Sequence, residues 1–137
     1  MSVPQAIHYD PRAVPLRRRL ETRLAVALAR LLATRTPHRI RTLLGPLSRR
    51  SRPATIEEAK VARDSVVAVS LACAGPEGCR TRSLATVLLC RAHGSWPTWC
   101  VGVRRLEPFT AHAWVEAEGV AVGEDYPPDY FRTLMSL

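Results

Sequence analysis

Apolar and polar residues follow one rhythm through the first part of this chain and another through the last. From Leu16 to Thr34, leucines at 16, 20, 24, 28, 31 and 32 recur at helical spacing, and Arg17, Arg18, Arg19, Arg23 and Arg30 take the other side. That is the pattern of a helix with one apolar stripe, ended by Pro37. A short helix is predicted from about His38 to Leu44, with Ile40, Leu43 and Leu44 apolar, and Gly45-Pro46 breaks it. Ser48 to Pro53 then reads as a basic linker. Thr55-Ile56-Glu57-Glu58 has the form of a capping box, with Thr55 as N-cap and Glu58 at N3. It starts a helix that runs to about Leu71 and buries Ile56, Ala59, Ala62, Val66 and Val69. A further helix carries Leu84, Val87, Leu88 and Cys90 on one face, and Gly94 stands where a left-handed cap closes it.

After Gly94 the period shortens to two. Trp99, Val101 and Val103 alternate with Cys100, Gly102 and Arg104. Ala111, Ala113, Val115 and Ala117 alternate with His112, Trp114 and Glu116. Both are strand patterns, joined to a third strand at Val120 and Val122 by a tight turn at Glu118-Gly119. Pro127-Pro128 stops regular structure, and Tyr130 to Leu134 reads as a closing helical turn. Helices followed by an antiparallel meander predict an α+β fold.

Composition changes this picture in two places. The net charge of +8 sits entirely at the front. Residues 1–53 hold twelve arginines against Asp10 and Glu21, whereas residues 54–137 are slightly acidic. The chain therefore divides into a basic helical extension, residues 1–53, and a core, residues 54–137, with residues 1–15 as a loose proline-bearing arm. Nucleic acid is not the expected partner despite the charge: Leu16 to Pro53 has no aromatic residue and no groove-reading motif. Four cysteines, at 73, 79, 90 and 100, include no C-x-x-C pair, so neither zinc nor any other metal is expected. The opening MSVPQAIHYDPR lacks the apolar centre of a secretory signal, and no apolar run is long enough to span a membrane. The reading is a cytoplasmic chain with reduced thiols.

Cys79 falls at the start of its helix, where unpaired N–H groups and the helix dipole favour thiolate. A cysteine nucleophile needs a base, and the base needs an orienting group. His112 on the second strand is the natural base. The hairpin at Glu118-Gly119 returns Glu124 or Asp125 beside it. Trp114, on the same strand face, can wall such a site. Each piece also has an ordinary reading: a structural cysteine, a satisfied histidine, a solvated acidic turn and a core tryptophan.

The segments GCRTRSLATVLLCRAHG, WPTWCVGVRR and PFTAHAWVEAEGVAVGE resemble the transglutaminase-like leader peptidases of lasso-peptide biosynthesis. The likeness spans roughly residues 55–137 and includes Arg82 and Ser83 after the cysteine and the AHAWVE block. It implies a papain/transglutaminase-like fold and a cofactor-free cysteine peptidase, with Cys79 as nucleophile, His112 as base and Glu124 as orienting acid. The family usually has Asp where this chain has Glu124, so Asp125 stays open as the alternative. No winged-helix-like recognition segment is evident, so the resemblance implies the split form. A separate leader-binding protein then delivers the precursor peptide, and the lasso cyclase is a further candidate partner. The rival readings are a catalytically silent scaffold for peptide delivery, a nucleic-acid-binding protein using the basic helices, and a transferase that shares the thioester.

Overall fold

A computed structural model describes residues 10–127 and 129–137. Most of the loose arm, residues 1–9, and Pro128 lie outside the described residues. A single 3-10 turn at Pro11–Ala13 leads into α1, Leu16–Ala33. The leucine stripe of α1 does not face inward. Leu16, Leu20, Leu24, Leu28 and Leu31 are 46 to 69% exposed, and the buried residues are Thr22, Ala25, Val26 and Ala29 on the opposite face. Small side chains let two helix backbones approach closely, and α1 uses this face to pack along α5, Cys79–Ala92. Thr22 is tolerated there because its hydroxyl donates to the Arg18 carbonyl.

The second helix, α2, runs from Pro37 to Arg49, straight through Gly45-Pro46. Thr36 caps its start, accepting from the Arg39 N–H. Pro46 is exposed, as is Thr42 four residues earlier, so the carbonyl left without a donor faces solvent. Ile40 and Leu44 bury the inner face, while Leu43 stays exposed. The basic linker is also more ordered than its composition suggests. Arg52–Pro53, β1, pairs in parallel with β2, Ser95–Trp96, and Arg52 holds the Glu58 carboxylate with two nitrogens at 2.7 and 2.6 Å.

The capping box at Thr55 and Glu58 forms as expected and opens α3, Ile56–Val69. Ala59, Ala62, Val66 and Val69 are buried, but Ile56, in the first turn, remains partly exposed. A four-residue α4, Leu71–Ala74, separates α3 from α5. The helix α5 is the centre of the molecule, packed by α1, α3 and the sheet, and Gly94 follows it at φ +85°.

The sheet has the order β5-β4-β3-β6, all antiparallel, with β3 at Thr98–Arg104, β4 at Ala111–Ala117, β5 at Val120–Ala121 and β6 at Phe131–Ser136. The segment expected as a closing helical turn is thus the strand β6. A short run of this kind fits either period, and the unpaired edge of β3 supplies a ladder that an isolated turn lacks. Mutual backbone bonds between Trp99 and Leu137, at 2.8 and 2.9 Å, close that ladder. One core joins Ala25, Ala29, Ile40 and Leu44 of the front helices to Leu84, Val87, Trp99 and Val115. Helices followed by a small antiparallel sheet make this an α+β fold.

Candidate active site

Cys79 is the first residue of α5, with Gly78 as its N-cap. Gly78 is pressed against α4: a side chain there would run into the Ala72 carbonyl oxygen and the Cys73 backbone. Arg82, one turn further along α5 and buried, donates from Nη1 to the carbonyls of Cys73, at 2.8 Å, and Gly75, at 3.3 Å. The turn that presents Cys79 is therefore tied to the helix that follows it. Two residues with positive φ, Glu118 and Gly119, make the hairpin between β4 and β5. Its register pairs Glu116 with Ala121, and Val122 continues it with a bond to the Val115 carbonyl. That continuation brings residue 124 back beside the start of β4.

The structure brings Cys79, His112 and Glu124 to one place. Glu124 Oε2 lies 3.1 Å from His112 Nε2, and the two side chains are only 11% and 13% exposed. With Nε2 engaged there, Nδ1 is the ring nitrogen left for the neighbouring Cys79 thiol. Burial pushes the Cys79 thiol up, but the adjacent imidazole and the Ala113 backbone N–H, with the charge of Arg82, outweigh it and leave the pKa below its ordinary value. Burial likewise opposes charge on His112. The bonds and charges of Cys79 and Glu124 outweigh it and raise the imidazole to about 9. Together these shifts favour a thiolate–imidazolium pair.

The other cysteines are free thiols in buried positions. Burial raises Cys90 to about 11, and burial with the nearby Glu116 carboxylate raises Cys100 further. Asp125 is exposed, and it is Glu124 that bonds the imidazole. Trp114 is nearly buried. Its ring lies 5.8 Å from His112 and 5.6 Å from Phe131, and it packs beside that stacked pair. Among the described residues no cluster of His, Cys, Asp and Glu is arranged to hold a metal ion.

Four further residues shape the site, and of these the sequence marks only Arg82, as part of the likeness and with no role. Phe131 stacks on His112 at 4.6 Å and Tyr126 meets it edge-on at 6.0 Å. Phe131 was hidden by reading its strand as a helical turn. Arg63 lies against Gly123, where any side chain would strike its guanidinium, and its charge faces Glu124 and Asp125. Arg63 and Arg82 did carry a signal. Each is a charge at helical spacing from buried residues, Ala59 and Val66 for one and Thr86 for the other.

Residues 22–136 match a family model described as the transglutaminase-like superfamily, a span that starts within α1 and takes in every later element of the fold. No curated protein and no solved structure matches the chain.

Proposed function

This chain belongs to the transglutaminase-like superfamily, and from that premise we propose that it is a cysteine peptidase with the triad Cys79, His112 and Glu124. Its substrate is a ribosomally made lasso-peptide precursor, whose leader it removes. It works in a reducing cytoplasm, and a separate leader-binding protein delivers the precursor. The observation that carries the reading is geometric: Glu124 holds the His112 ring at 3.1 Å beside Cys79 at a helix N-terminus, and the lowered thiol and raised imidazole agree with it. The quoted likeness to leader peptidases in the segments around both residues supplies the substrate class.

The Cys79 thiolate attacks the carbonyl carbon at the end of the leader. Backbone N–H groups at the start of α5, including that of Cys79, hold the oxyanion that forms. His112 gives its proton to the leaving amine, the C–N bond breaks, and the leader remains on sulfur as a thioester. The imidazole then takes a proton from water, the hydroxide displaces the Cys79 sulfur, and the leader leaves as a carboxylic acid. Glu124 orients the ring and stabilises its charge throughout.

Mass spectrometry of a precursor incubated with this chain and the delivery protein tests the reading. The expected products are free leader and core peptide with the wild type and none with Cys79→Ala. An intact precursor with the wild type, or unchanged cleavage with Cys79→Ala, would remove the proposal. Alkylation separates a catalytically silent scaffold: iodoacetamide should modify Cys79 at lower pH than an ordinary thiol, and a Cys79 reacting like an ordinary thiol would favour the scaffold.

A further inference from the structure

The α1 surface opposite the core is an apolar seam with a basic border. Leu20, Leu24, Ala27 and Leu31 follow one another at spacings of four, three and four, the a/d repeat of a two-helix seam, and Leu16 extends the row. All five are exposed. Arg23 and Arg30 border the row on one side. Glu21 and the exposed Leu28 stand on the other, where Glu21 pairs with Arg17 and His93. The leucines have not been displaced from the core, because α1 already buries a complete inner face on α5. A row of exposed leucines this long is more than scattered surface apolarity and marks an interaction site.

We infer that the leucine row of α1 docks an amphipathic helix of a partner protein that carries carboxylates on the flank of its apolar stripe facing Arg23 and Arg30. Two features select that occupant. The row has a basic border at Arg23 and Arg30 and an acid, Glu21, on the other side, which a helix of matching charge can meet side by side and an anionic lipid surface cannot. A second copy packed antiparallel would set Arg23 and Arg30 against their own copies, whereas Glu or Asp at the facing positions would meet them favourably. The docking face does not depend on the reaction assigned to Cys79, and its test reads binding rather than cleavage.

The full chain is titrated with two helical peptides that share leucine a and d positions, one flanked by glutamate and the other by lysine. The glutamate peptide should bind at least about tenfold more tightly, with affinity falling as salt rises. Leu20→Glu combined with Leu24→Glu should abolish that difference. Both positions are exposed, so melting temperature and Cys79 alkylation should be unchanged in the double variant. Equal binding of the two peptides, or binding indifferent to the double substitution, would overturn the inference. Sedimentation showing a wild-type dimer that the double variant dissolves would assign the seam to a second copy instead. Flotation with phosphatidylglycerol vesicles, lost in the double variant, would assign it to a membrane.

Discussion

The helices α1 and α5 lie side by side and treat their apolar residues in opposite ways. In α5, Leu84, Val87 and Leu89 go inward, together with Arg82, Ser83 and Thr86, because the helix is enclosed by α1, α3 and the sheet. In α1, five leucines face out and two alanines, a valine and a threonine face in. Turning the leucines inward would push α1 away from α5 by the size of the larger side chains. The small residues instead give a close seam, and close packing is what a protein interior rewards. An amphipathic pattern thus reports that a helix has an apolar face without saying what covers it. In α5 the cover is the rest of the fold. In α1 it comes from outside.

The largest expected effect is at the start of α5. Cys79→Ala should lower leader cleavage by at least about a thousandfold while the chain keeps its fold, since the residue is only partly buried. No substitution on the leucine row should approach that loss in a precursor already supplied in excess. If Leu24→Ala impaired the chemical step as severely as Cys79→Ala, α1 would be part of the active site and the contrast between the helices would collapse. Glu124→Gln should reduce cleavage by about a hundredfold or more by loosening the imidazole. Asp125→Asn should have little effect on the rate, because the bond to His112 comes from Glu124. Equal losses would mean that the two carboxylates share the work.

What the sequence disclosed followed the same division. The Thr55 cap, the Cys79 helix start and the hairpin at Glu118-Gly119 are local, each specified by a few neighbouring residues, and all three formed where expected. The approach of Glu124 to His112 could be read because a tight hairpin fixes register arithmetic over a few residues. The outward turn of the α1 leucines, the pairing of β6 with β3 and the stacking of Phe131 on His112 were not legible. Each depends on a partner distant in sequence, and periodicity carries no information about such a partner.

Stability sharpens the comparison at an intermediate scale. Ala29→Leu places a large side chain on the fully buried face of α1 and should cost about 1–3 kcal/mol in chemical denaturation. Leu24→Ala, on the exposed face, should change stability by no more than about 0.5 kcal/mol. A larger loss at Leu24 than at Ala29 would show that the leucine row is covered within the chain itself.

The subtlest expected signal is in pH dependence, and it belongs to the site at the start of α5. Burial opposes charge on the His112 imidazole, but Cys79 and Glu124 outweigh it and raise the ring from its ordinary value near 6.5 to about 9. Above pH 6.5 the folded state therefore binds a proton that the unfolded imidazole has lost. The stability this contributes is fully present below pH 6.5 and is lost as pH rises toward about 9. Glu124→Gln removes one of the two groups that raise the ring. The stability advantage of wild type over Glu124→Gln should therefore be largest near pH 6.5 and shrink toward pH 8.5, by no more than about 1.4 kcal/mol per pH unit. Leu24→Ala, which touches no ionisable pair, should show no such drift relative to wild type. A difference between Glu124→Gln and wild type that stays constant from pH 6.5 to 8.5 would mean that Glu124 does not help keep a proton on the ring, and the imidazolium half of the pair would have to be abandoned.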